Sequence, residues 1–169
     1  PAKKSPAYDW HASNTAVFGE KSSWERVNYY ANHESDDSLK PYGWAGKHWS
    51  SAVAAEHRAT RENAGLFDES SFAKAIISGA QAPEFLNWVC ANDVVKGVGR
   101  TVYTQALNTR GGIESDYTVT QTADTEFFII TGTAFSTHDF GWLEKQKREG
   151  GFNDVNIKVV TEDLACFAL

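Results

Sequence analysis

Thr101-Val102-Tyr103-Thr104-Gln105-Ala106-Leu107, Asn108-Thr109-Arg110-Gly111-Gly112 and Ile113-Glu114-Ser115-Asp116-Tyr117-Thr118-Val119-Thr120-Gln121-Thr122 follow one another without a break. The outer two stretches are rich in β-branched and aromatic residues, which suit a pleated, half-buried surface. The five residues between them carry the polar and glycine chemistry of a reversal. Strands joined so tightly pair antiparallel, because a parallel pair needs a crossover of a dozen or more residues. A hairpin is therefore predicted at the centre of the chain. Ala123-Asp124-Thr125 is a second turn signal, and Phe127 to Thr131 behind it predicts a third strand.

Upstream, Phe72 to Ser78 predicts a strand that ends at Gly79. Pro83 then opens a helix, where a missing N–H costs nothing, and Phe85, Leu86, Val89 and Cys90 give it one apolar face. Residues 48–64 predict an earlier helix, with Trp49, Val53 and His57 at four-residue spacing among alanines and Gly65 as its stop. Downstream, residues 136–148 predict a third helix, capped by Ser136 or Thr137 and ended by Gly150-Gly151. Val155, Ile157 and Val159 alternate as in a half-buried strand, and Leu164 to Leu169 is expected to form one more. Helices and antiparallel strands interleave. The expected class is α+β, an antiparallel sheet with helices on one face in a ferredoxin-like split βαβ arrangement.

Residues 1–47 read differently. They hold Trp10, Trp24, Trp44 and four of the six tyrosines, with polar clusters such as Ser35-Asp36-Asp37-Ser38. No sustained helical or strand period runs through them. The expectation is an aromatic-rich arm over 1–47, packed on another domain, followed by a folded unit over 48–169.

The whole chain has 169 residues, enough for one domain, with 41% hydrophobic and 22% charged residues. Its net charge is 16 − 22 = −6, which argues against a nucleic-acid partner. No apolar run approaches the roughly 18 residues of a membrane span, and Pro1 to Trp10 has no apolar core of a secretory signal. Cys90 and Cys166 are too few for a disulfide scaffold and match no metal spacing. Two reduced thiols fit a cytoplasmic setting. The absence of methionine and the apolar run at residues 164–169 lead us to expect a piece of a longer chain.

Motifs are few. Lys96-Gly97-Val98-Gly99-Arg100 lacks the third glycine of a phosphate loop and precedes a strand. No histidine pair has helical metal-ligand spacing, and there is no Gly-x-Ser-x-Gly elbow. Asp116 is the most informative single residue, because aspartate is depleted in strands. It is either a solvent-facing carboxylate or one aimed into a cleft as base or acceptor. Tyr103 lies thirteen residues earlier on the partner strand, so the two side chains can share one face. Arg110 reads as a solvated turn charge. His57 reads as a packed histidine. Asp139, beside His138, reads as a first-turn residue complementing the helix dipole.

Val98 to Asn108 and Arg110 to Asp116, with Gly65-Leu66-Phe67-Asp68 and Thr131-Gly132-Thr133-Ala134-Phe135, resemble the glycine-cleavage T-protein family of folate-binding aminomethyltransferases. Val17 to Asn28 resembles the segment before the folate domain of sarcosine and dimethylglycine dehydrogenases. The likeness runs from about Ser5 onwards. It implies the first half of a folate-binding unit, with residues 68–150 as its ferredoxin-like subdomain. It further implies tetrahydrofolate as cofactor, FAD only in a domain outside this chain, and a small N-methyl amine as methylene donor. The partners implied are folate, that amine and the rest of the chain's own unit, with no nucleic acid and no membrane. A eukaryotic relative would sit in the mitochondrial matrix. By position Asp116 matches the family's catalytic aspartate, Tyr103 an aromatic near the pteridine, and Thr131 a folate contact that is commonly asparagine. Ser115 stands where a second aspartate is common. A glycine-cleavage aminomethyltransferase and a non-catalytic binding module of the same fold remain as alternatives.

Overall fold

The computed structural model describes residues 2–31 and 40–169, so the Ser35-Asp36-Asp37-Ser38 cluster lies outside the described residues. In chain order the elements are α1 (Tyr8–Ser13), β1 (Ala16–Lys21), β2 (Trp24–Tyr30), a 3-10 turn (Ala45–His48), α2 (Ser51–Glu62) and β3 (Phe67–Asp68). Next come β4 (Ala73–Ser78), α3 (Ala82–Val89), β5 (Thr101–Leu107), β6 (Ile113–Ala123) and β7 (Glu126–Thr131). A 3-10 turn (Thr133–Phe135), α4 (Ser136–Gly150), β8 (Asn156–Val159) and β9 (Phe167–Ala168) complete the series. They form two compact units, the first Pro1–Ser71 with Ala165–Leu169, the second Phe72–Leu164.

The second unit is built on a five-stranded sheet in the order β5-β6-β7-β4-β8, with every neighbouring pair antiparallel. β7 thus lies between β4 and β6, which run the same way, as in a split βαβ unit. β5 is an added edge strand. The predicted hairpin is present, with its reversal held by Asn108. The Asn108 Oδ1 accepts from the N–H groups of Arg110 and Gly112, each at 2.9 Å.

Alternation sorts the strands into two faces. Ala73, Ala75 and Ile77 of β4, Ala106 of β5, Tyr117 and Val119 of β6, and Phe127 and Ile129 of β7 are buried on one face. They share a single core with Phe85, Leu86 and Val89 of α3 and Phe140 and Leu143 of α4. Both helices therefore cover one face, as the sequence predicts. Burying each of the larger apolar side chains among them contributes about 1.5–3 kcal/mol.

The links between elements explain the boundaries. Gly79 turns the chain from β4 towards α3 at φ 129°, and a Cβ there would stand 2.3 Å from the Asp154 carbonyl oxygen, so only glycine fits. Pro83 sits in the first turn of α3. α4 ends where Gly151 adopts φ 73° and returns its N–H to the last turn. Its start differs from expectation. Ser136 and Thr137 lie inside the helix, and among the described residues no side chain caps it. The 3-10 turn at Thr133–Phe135 feeds directly into α4, which leaves no extended residue to serve as cap.

The first unit corrects the reading of the N-terminal residues. β1 and β2 form an antiparallel hairpin with Lys21 opposite Trp24. Their connection is Ser22-Ser23, at φ 51° and 68°. Two central residues at positive φ make the primed turn that suits strand twist. Asn-Gly signals this turn in a sequence, whereas Ser-Ser does not. The predicted 48–64 helix is shorter, over Ser51–Glu62, with the Ser50 Oγ accepting from the Val53 N–H at 3.3 Å. The terminal strand narrows to Phe167–Ala168 and pairs with β3.

Candidate functional site

The second face of the five-stranded sheet carries the predicted pair. Tyr103 stands opposite Thr118 and Asp116 opposite Gln105, so the two are diagonal neighbours across β5 and β6. The Tyr103 hydroxyl donates to Asp116 Oδ2 at 2.7 Å. Tyr103 is 59% exposed, and Asp116 is exposed beside it. The hydrogen bond to the Asp116 carboxylate holds the Tyr103 phenol above its ordinary value of 10.0, assisted by partial burial and the carboxylate charge. Gln105, Thr118 and Thr120 extend the polar surface on this face, and the Thr101 and Thr120 hydroxyls meet at 2.8 Å.

This arrangement has defined chemistry. An ionised carboxylate has about four lone-pair sites, and Tyr103 occupies one of them. Asp116 Oδ1 has no protein partner among the described residues. It can accept an N–H or take up a proton from a bound molecule. The Tyr103 ring, fixed by its own hydroxyl, offers a flat surface next to that oxygen.

The structure places Thr131 elsewhere. It is buried on the helix-covered face, and its Oγ1 donates to Asp139 Oδ2. Ser115 shares that face and donates to Asp139 Oδ1 at 2.8 Å. The Tyr117 hydroxyl donates to the Asp139 backbone carbonyl at 3.3 Å, and burial pushes this phenol strongly upward. Asp139 is 2% exposed. Asp139 does lie in the first turn of α4, as read, but it is also a buried acceptor that ties α4 to β6 and β7. The signal for this was two hydroxyls, Ser115 and Thr131, on the buried face of adjacent strands, since buried donors require an acceptor.

His138 remains half exposed, with Nδ1 3.0 Å from Asp139 Oδ1 and Nε2 3.6 Å from Glu114 Oε2. Arg110 is exposed in the hairpin loop, and His57 is exposed on α2 of the first unit. Cys90 is buried, and that burial drives its thiol up to about 12. Among the described residues no group of three or more His, Cys, Asp or Glu could hold a metal ion. Among the same residues no helix is long and apolar enough to cross a membrane.

Comparison with known proteins gives the site its context. The profile of the GCVT N-terminal domain matches residues 7–169. Mitochondrial dimethylglycine dehydrogenase of Rattus norvegicus is 30% identical over 146 residues, which is 86% of this chain and 17% of that protein. Aminomethyltransferase of Chlorobium limicola is 34% identical over 168 residues, or 99% of this chain and 40% of that protein. The formaldehyde-forming 4-methylaminobutanoate oxidase of Paenarthrobacter nicotinovorans is 34% identical over 146 residues, or 86% of this chain and 18% of that protein. Among solved structures, aminomethyltransferase T of the glycine cleavage system from Bartonella henselae superposes with a TM-score of 0.75 at 26% identity, covering 95% of this chain and 39% of that one. The chain therefore spans well under half the length of each of these relatives.

Proposed function

Because the chain belongs to the GCVT N-terminal domain family, matched over residues 7–169, we propose that it is the first part of a tetrahydrofolate-binding unit with Asp116 and Tyr103 at the ligand. In this reading residues 48–169 are the N-terminal half of that unit, and the remainder of the unit completes the cleft. The observation that carries the reading is the exposed Tyr103–Asp116 pair, in which Oδ2 is engaged and Oδ1 is not. The residues present fit such a ligand. A carboxylate accepts the N–H groups of a reduced pterin, and an adjacent aromatic ring packs on its plane.

When bound, tetrahydrofolate supplies a nucleophilic nitrogen that takes up a one-carbon unit at the formaldehyde level, giving 5,10-methylenetetrahydrofolate. The chain's own residues do the rest. Asp116 orients the ligand through an N–H contact and accepts the proton released as the carbon is captured. Its charge also favours the cationic character that develops at that nitrogen. Tyr103 holds the carboxylate in one rotamer and lines the ligand's face. We assign the carbon source to a small N-methyl amine of the sarcosine or dimethylglycine type. The likeness to dimethylglycine dehydrogenase and to the methylaminobutanoate oxidase supports this. The likeness to aminomethyltransferases supports a second reading, in which the donor is the aminomethyl group handled in glycine cleavage.

Calorimetric titration of tetrahydrofolate into this chain tests the site. Saturable binding, weakened about tenfold or more in Asp116→Ala, is expected for a lost charge-assisted hydrogen bond. Equal affinity of the two chains rejects the placement at Asp116. In the full-length protein, Asp116→Asn should lower the transfer rate by about 10²-fold or more with little change in folate affinity. Unchanged turnover rejects the proton-accepting role.

A further inference from the structure

The first unit holds a second cluster of titratable groups, drawn from α1, β2 and β3. His11 is 8% exposed. Its Nε2 lies 2.9 Å from Asp68 Oδ2, and its Nδ1 lies 2.6 Å from the Tyr30 hydroxyl. Asp68 also accepts from the Ser5 hydroxyl and, at Oδ1, from the Ser70 N–H at 3.0 Å. Burial raises the Asp68 carboxyl, but these hydrogen bonds from Ser5, Ser70 and His11 outweigh it, and the group sits below the ordinary carboxylate value. Asp68 is therefore an anion that can only accept.

That anion sets the direction of the whole chain of bonds. Nε2 carries the proton given to Asp68, and in the tautomer with its single proton there Nδ1 is an acceptor. Tyr30 must then donate its own proton to Nδ1. The Tyr30 phenol is held protonated by burial first, then by the charges of Glu56 and Asp68. With that proton committed inward, the phenolic oxygen has only lone pairs left to offer a ligand.

Tyr30, His11 and Asp68 all line one cavity of about 370 Å³, a volume suited to a small organic molecule. Its wall adds the carboxylates of Glu56 and Glu69 against the guanidinium of Arg26, and the ring of Phe67 supplies an apolar side. Three carboxylates against one guanidinium favour a cation.

We infer that this cavity binds a small protonated amine bearing at least one N–H, with the Tyr30 oxygen as its acceptor and His11 and Asp68 holding that oxygen in the accepting state. The site lies wholly in the first unit and does not depend on the folate reading.

Two ammonium ions of equal charge and similar size test the idea. Trimethylammonium has one N–H, and tetramethylammonium has none. Each is titrated as the chloride into the ¹⁵N,¹³C-labelled chain at pH 7, following the Tyr30 ring and the His11 imidazole by NMR. Saturable shifts are expected with trimethylammonium, and binding of tetramethylammonium should be about tenfold or more weaker. Tyr30→Phe should abolish that difference. Equal affinities, or no saturable shift with either ion, would overturn the site. The His11 ¹⁵N shifts give a check that needs no variant and no ligand. They should report the Nε2–H tautomer, and an Nδ1–H tautomer would overturn the acceptor assignment.

Discussion

Ser115 and Asp116 are sequence neighbours whose side chains leave β6 on opposite faces. Ser115 points into the helix-covered core and donates to Asp139 Oδ1 at 2.8 Å, while Asp116 points outward and accepts from Tyr103 at 2.7 Å. The period of two in a strand makes this inevitable. It also gives the exposed carboxylate a fixed base. The backbone that carries Asp116 is clamped from beneath, through Ser115 and Tyr117, to the first turn of α4.

The Tyr103–Asp116 bond is readable by titration. Tyr103 should ionise above the ordinary phenol value of 10.0, because the carboxylate it binds resists loss of its proton. Asp116→Asn removes the charge and should bring Tyr103 back towards 10.0. Carbon-13 NMR of the labelled tyrosine ring checks this. An unshifted Tyr103, with the same midpoint in the variant, would show that the bond is absent in solution.

Asp139→Ala leaves the Ser115 and Thr131 hydroxyls buried without their acceptor. Each unsatisfied group costs about 1–3 kcal/mol, so the variant should lose at least about 2 kcal/mol in urea denaturation. Asp139→Asn should lose less, since its amide oxygen still accepts from one hydroxyl and a hydroxyl can rotate to take its N–H. Equal losses for alanine and asparagine would mean that the side-chain oxygens carry no part of the effect.

Asp68 makes stability depend on acid. Its carboxyl is depressed in the folded chain, relative to about 3.9 when unfolded. Such a group stabilises above its unfolded value, and the contribution disappears as pH falls through the folded one. The difference in Tm between the chain and Asp68→Asn should therefore be full near pH 7 and shrink below about pH 4. A difference that stays constant down to about pH 3 would contradict the hydrogen-bonding described for Asp68.

Much of the second unit is legible along the chain, because its strands alternate and its turns carry glycine, asparagine and aspartate. The Thr101–Thr122 hairpin needs no tertiary knowledge, and register alone then sets Tyr103 beside Asp116. What the chain does not advertise depends on partners distant in sequence. Asp139 has the local features of a first-turn carboxylate, and only packing against β6 and β7 turns it into a buried acceptor. Thr131 is a ligand contact by resemblance alone, and its place opposite Ala73 among buried residues depends on sheet register. His11, Tyr30 and Asp68 are separated by 19 and 57 residues from His11 onward, and no periodicity connects them. The β1–β2 turn carries no signal along the chain, because Ser22 and Ser23 adopt a conformation their side chains do not favour.

The two-residue pairing of β3 with β9 joins Phe67 to Ala168 and Asp68 to Phe167. Closing a loop of about a hundred disordered residues for so few bonds is entropically unfavourable. The second unit removes most of that cost, because its own ends already meet, with the Lys74 N–H donating to Thr161 Oγ1 at 3.0 Å. The β3–β9 pairing therefore leans on the fold of the residues between its two strands, which shortens the effective loop it must close.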